Sequence, residues 1–249
     1  MKTNLSVAEL WLLVGLVILC GLAVVIPPVS QNPAFHNFAD ARMFLGVPRT
    51  FDSLSNLGFL LLGAYGLWLV AKSRLVFFNA ALKASAVTFF IGFIATAAGS
   101  TYYHLAPDNP GLALDRLGMV IAFAGMLGLA GAHRVSERAG WGCLGFGLLV
   151  GPASVLFWHL TGSLTPYVLV QYGGIAMACL MLFARAKGPG PYWWLMILSY
   201  GLAKYFEGHD LHIYEVSEQL VSGHTIKHLL ATIPAVAVIW PLMRKRTLH

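Results

Sequence analysis

The sequence predicts an all-α membrane protein, a bundle of helices that crosses the bilayer several times. Three observations predict it. Of the 249 residues, 58% are apolar and only 10% are charged. Mean hydropathy is +0.72. The apolar residues also gather into eight stretches, each near the roughly 17–25 residues that a spanning helix needs. Together these exclude an ordinary soluble domain. The formal net charge of +6 invites a nucleic-acid reading. The basic residues, however, sit in short connections between apolar stretches, where charge orients a membrane protein.

The first stretch, 7–28, follows Lys2 as a secretory signal would. Its apolar core exceeds the ~7–15 residues of a signal, and no small-x-small cleavage site stands out. An uncleaved anchor over 1–29 is therefore expected. The connection over 30–52 is the longest and least regular, and is expected to form an extracytoplasmic loop. Seven further spans are expected near 53–71, 84–104, 112–132, 141–160, 165–184, 192–212 and 224–243, giving one core over 53–249. Breakers separate them: Pro107-Asp108-Asn109-Pro110-Gly111, Thr161-Gly162-Ser163 and Gly188-Pro189-Gly190-Pro191. There is no internal repeat and no low-complexity segment. Cys20, Cys143 and Cys179 each lie inside an apolar stretch and read as small packing residues, not as a disulfide framework or metal set.

Charge sets the expected orientation. One set of connections carries Lys2, Lys72, Arg74, Lys83, Arg134, Arg138, Arg185, Lys187 and the tail Arg244-Lys245-Arg246; the alternate set carries Arg42 and Arg49. The positive-inside rule then places both termini in the cytoplasm. On that reading five polar clusters share the outer side. They are Ser53, Ser55 and Asn56; Ser100 and His104; Asp115; Asp210 and His212; and His224 with His228.

These clusters hold the candidate chemistry. His224 and His228 are four apart, one helical turn, and so lie on one face. His104 stands four residues after Ser100. Three neutral imidazoles with a fourth position left open are how proteins build a catalytic zinc site. Asp115 could take and return the proton of a bound water. Ser100 could hydrogen-bond that water or a developing oxyanion.

Blander readings stay open. Paired histidines also ligate haem or copper, and Asp115 could simply favour a helix start. Lys204, Glu207 and Asp210 share a helix face, with Lys204 and Glu207 expected to pair, since a lone charge inside a bilayer is costly. Asp210 is a candidate to orient a zinc histidine or to contact a headgroup. His36, His133, His159, His209 and His212 read as interfacial, and Trp193-Trp194 as an aromatic belt.

At these residues the chain resembles the CREST membrane hydrolases, and within them the alkaline ceramidases and their bacterial relatives. Ser53-Leu54-Ser55-Asn56-Leu57 is similar to the family's Asn-x-x-Ser-Asn helix start. Gly99-Ser100-Thr101-Tyr102-Tyr103-His104 is similar to its Gly-Ser-x-x-x-His, and Leu114-Asp115-Arg116-Leu117-Gly118-Met119 to its Leu-Asp-Glu-Leu-Pro-Met. His224-x-x-x-His228 completes the set, and Asp210 matches an aspartate before the final helix. The resemblance runs from about residue 50 to the C-terminus.

It implies a seven-helix core plus one additional N-terminal helix. It implies zinc held by His104, His224 and His228, with Ser100 and Asp115 acting on a zinc-bound water to cleave the amide of a ceramide-like N-acyl lipid. Asn56, Arg116 and Asp210 are then candidates for supporting or headgroup contacts. The animal ceramidases also bind calcium through acids before and at their first core helix. Here Arg49 falls where one of those acids would be, and the preceding loop offers only Asp40 and Asp52, which leaves calcium open. Arg116, in place of an acid, leaves headgroup preference open as well.

The expected function is a zinc-dependent hydrolase in a bacterial inner membrane. Its partner is a membrane lipid substrate, with no nucleic acid and no obligate protein partner. The alternatives are a zinc-containing receptor or sensor of the same fold without turnover, and a haem or copper electron carrier.

Overall fold

A computed structural model describes residues 4–243 and is all-α. Its helices are α1 (Val7–Val25), α2 (Thr50–Ala71), α3 (Ala80–Leu105), α4 (Asn109–Val135), α5 (Glu137–Thr161), α6 (Thr165–Met181), α7 (Trp193–Gly208), α8 (Asp210–Val216) and α9 (Gly223–Leu242). A 3-10 turn, Pro33–His36, lies in the connection after α1. Six of these helices, α1 to α5 and α9, are long and apolar enough to cross a membrane. Lys2 and Arg244-Lys245-Arg246, used above for orientation, lie outside the described residues.

Two expected spans come out shorter than the sequence suggests. The helix expected over 165–184 stops at Met181 and passes through a π turn at Leu169–Gly173. The one expected over 192–212 is broken at His209, whose backbone leaves helical geometry (φ −114°, ψ 27°) just after Gly208. Glycine is a poor helix residue, and a bond made by Asp210 holds the chain after the break elsewhere. α2 begins at Thr50, earlier than 53, so Asp52 joins the helix that carries Ser55 and Asn56.

The chain forms two compact units. One runs to Gln31 and resumes over Phe77–Phe89 and Val120–Gly190; the other is Asn32–Val76, Phe90–Met119 and the chain from Pro191 on.

In the first unit, α1 opens with a capping box in which Ser6 and Glu9 satisfy each other's backbone N–H groups. Glu9, 6% exposed, also accepts from Ser136 Oγ (2.6 Å) and Arg138 Nε (3.0 Å). α5 closes on Gly162 at φ +77°, a left-handed cap that glycine adopts at no steric cost. Cys143 is buried in this unit, but Cys20 is exposed and packs into no core.

In the second unit, α3 and α4 approach through glycine. A Cβ on Gly118 would lie 2.3 Å from the Thr96 nitrogen, and one on Gly99 would lie 2.4 Å from the Leu114 carbonyl oxygen. Small residues allow this backbone contact between membrane helices. It sets Ser100 and His104 of α3 beside Asp115 of α4. Trp193 is buried at 5%, so of the Trp193-Trp194 pair only Trp194 (66%) is free to face the membrane interface.

Candidate metal centre

The centre lies within the second unit and is assembled from the ends of α2, α3, α4 and α9. His104, His224 and His228 are 0%, 5% and 3% exposed. One ring nitrogen from each lies within 4.8 Å of the other two. Ring centroids stand 4.9 Å (His104–His224), 5.1 Å (His104–His228) and 4.7 Å (His224–His228) apart, all edge-to-face. A single ion fits among rings so disposed. A flat macrocycle does not fit between imidazoles this close.

The hydrogen bonds of the three rings bear on that fit. Both ring nitrogens of His104 are buried without a hydrogen-bond partner in the protein. A buried polar atom left so costs about 1–3 kcal/mol unless something else binds it. His228 Nδ1 lies 2.7 Å from Ser55 Oγ and 3.2 Å from the Asp52 carbonyl oxygen. A carbonyl only accepts, so Nδ1 carries the proton and Nε2 keeps its lone pair. Such a partner on the far nitrogen is what orients a metal-ligating histidine. A donor set of imidazoles suits a transition-metal ion such as zinc, copper, iron or nickel.

The start of α9 explains why His224 and His228 are held there. Ser222 caps the helix by accepting from Thr225 N at 3.0 Å. Ser222 Oγ and Thr225 Oγ1 both donate to Asp52 Oδ1, at 3.0 and 2.6 Å. Asp210 Oδ1 accepts from the His224 backbone N–H at 2.7 Å. Two carboxylates therefore anchor the positive end of the helix. Gly223 is required by space: a Cβ there would lie 2.3 Å from the Phe206 carbonyl oxygen.

No known protein-family model and no curated protein matches this chain. What the centre does must be read from its residues.

One helical turn before His104, Ser100 donates a hydrogen bond to the Asp115 carboxylate; both residues are buried, at 1% and 8%. Asp210 reaches the backbone of His224, not its ring, and its second oxygen accepts from Ala39 N at 3.0 Å. Asn56, 1% exposed, donates to the Asp52 carbonyl at 3.1 Å, while its side-chain oxygen has no protein partner. Arg116 is buried at 5% with its guanidinium 5.7 Å over the Phe35 ring. Asp40 pairs with Arg42 at 2.6 Å, and Arg49 donates to the His104 carbonyl at 3.2 Å.

Two residues at the centre, Phe38 and Lys227, escaped the sequence reading, whereas Ser55 was read from it as one of the outer polar groups. Phe38, in the irregular connection, packs on His104 and His224 with ring centroids 4.5 and 4.7 Å away. Ser55 orients His228. Lys227 Nζ lies 3.1 Å from His224 Nε2 and 2.9 Å from Glu207 Oε1, while Glu207 also holds Lys204 as expected. Spacing held a signal for Lys227 alone, since residues 224 and 227 are i, i+3 neighbours.

Proposed function

We propose that this membrane protein is a zinc-dependent hydrolase of the alkaline ceramidase type, cleaving the amide of ceramide-like N-acyl lipids. The observation that carries this reading is the buried triad His104, His224 and His228, with His104 unsatisfied by the protein and a carboxylate at hand. The three imidazoles would hold the ion. Bound there, zinc supplies a Lewis acid and lowers the pKa of a bound water toward ~7.

The chain's own groups support the rest. Asp115 would accept the proton of the attacking water and deliver it to the leaving amine nitrogen. Ser100 Oγ gives its one proton to the Asp115 carboxylate and so holds it in one orientation. Ser55 keeps the His228 ring turned. Phe38 covers the rings on one side and keeps bulk water from them, which strengthens every charge interaction inside. The surrounding helices are apolar, which suits acyl chains better than a soluble substrate. With the orientation expected from loop charge, the centre would open toward the outer leaflet.

Metal content measured together with hydrolysis of a fluorescent ceramide, in wild type and His224→Ala, tests the reading. About one zinc per chain, with metal and turnover both lost in the variant, is the expected result. Zinc without turnover would favour a receptor or sensor, and absence of zinc would return the histidines to a structural role.

A further inference from the structure

The three histidines are buried, yet a charged group stands at their edge that hydrolysis of a neutral lipid does not require. Lys227 lies on α9 between two of them. Its ammonium is 3.1 Å from His224 Nε2. Its side chain is 17% exposed, unlike the rings, so it marks the side from which a ligand can arrive.

Lys227 is also held in place. Glu207 on α7 takes it at 2.9 Å through Oε1 and takes Lys204 through Oε2. One carboxylate thus answers two ammonium groups, and the three N–H donors of Lys227 are not all used by its shared acid.

An ammonium can only donate, so its contact with His224 uses that nitrogen's lone pair. An ion bound through the same nitrogen would displace Lys227 from it. The displaced donor, still fixed by Glu207, would then need an acceptor at the mouth of the centre. In a low-dielectric membrane site the acceptor that best satisfies it is an anionic oxygen.

We infer that Lys227, positioned by Glu207, is a specificity-determining residue that binds an anionic oxygen on the substrate's headgroup. The centre therefore takes N-acyl lipids with a negatively charged headgroup in preference to neutral ones. The inference rests on the metal centre proposed above and names the substrate class more closely. Carboxylate and phosphate share the required chemistry.

Binding to the full-length, zinc-loaded protein in detergent tests this without turnover. The probes are N-lauroylglycine, dodecyl phosphate and the neutral N-lauroylethanolamine, with zinc content checked in each sample. Wild type is expected to bind at least one anionic probe roughly ten- to a hundredfold more tightly than the neutral one. The tighter of the two anions identifies the headgroup. Lys227→Met should abolish that preference at unchanged zinc content, and Lys227→Arg should keep it. Lys227→Gln removes the charge but keeps a polar N–H donor, and serves if the methionine variant does not fold. Equal affinity for all three probes in wild type would overturn the inference. So would a uniform loss across the probes in the variants, because a residue that only ties α9 to α7 does not discriminate by charge. A protein that binds anionic lipids selectively but cleaves none keeps this assignment and loses the hydrolase reading.

Discussion

Ser55 Oγ lies 2.7 Å from His228 Nδ1, joining the first turns of α2 to the helix that carries two of the three histidines. The hydroxyl also donates to the Asp52 carbonyl at 2.8 Å, so its position is fixed from both sides. It holds the ring by Nδ1 and leaves Nε2 as the nitrogen available to a metal ion.

Removing that contact should loosen the metal before it loosens the fold. Ser55→Ala leaves the Asp52 carbonyl as the remaining partner of Nδ1, at 3.2 Å. Zinc affinity is expected to fall about 10–100-fold, as it does when the orienting partner of a metal histidine is lost. Competition with a chromophoric chelator reads this directly. Unchanged zinc affinity in a folded Ser55→Ala protein would show that the contact does not orient a ligand.

His104 makes a different prediction, because neither of its nitrogens has a partner in the protein. In metal-free protein His104→Leu relieves a buried polar group, and thermal stability should stay level or rise. Zinc bound as proposed, to the folded state alone, would stabilise the wild type. Added zinc should therefore raise the melting temperature of wild type and leave the variant where it is. A variant that is still stabilised by zinc to the same extent would remove His104 from the ligand set.

Much of this was visible in local sequence pattern, and the physical reason is range. Hydropathy finds α1 to α5 and α9 because apolarity is a property of each stretch by itself. The face shared by His224 and His228 follows from one helical turn. The contact between Ser55 and His228 spans 173 positions and joins residue types that recur throughout the chain. Phe38 reaches the rings from an irregular connection with no period to read. The break at His209 depends on where the Asp210 carboxylate goes, and the sequence alone does not show that it goes to a backbone N–H of α9.

Asp210 accordingly acts on His224 through the helix start. Asp210→Ala strips an acceptor from the His224 N–H and from Ala39 N, each lost charged bond being worth about 1.5–3 kcal/mol. Lower thermal stability and weaker zinc binding are expected together. Asp210→Asn, which keeps an amide oxygen, should recover part of both. If Asp210→Ala weakened zinc binding with no change in stability, a direct role at the ion would replace the positioning role.

Gly99 offers the sharpest test of how Ser100 and Asp115 are brought together. Its missing Cβ is the space occupied by the Leu114 carbonyl, 2.4 Å from where that carbon would sit, and the Asp115 nitrogen is 2.9 Å from the same point. Backbone atoms cannot swing aside as a side chain does, so Gly99→Ala must part α3 from α4. Overpacking of this kind costs about 1–3 kcal/mol, and here the displacement falls on the residues flanking both catalytic candidates. Hydrolysis of the fluorescent ceramide should fall by more than tenfold while zinc content stays near one per chain, because the atoms nearest the added carbon belong to Leu114 and Asp115. Equal loss of zinc and turnover would mean that the two helices are spaced for the metal and not for the hydroxyl and carboxylate. Unchanged turnover would mean that Ser100 and Asp115 need not be in contact for the reaction.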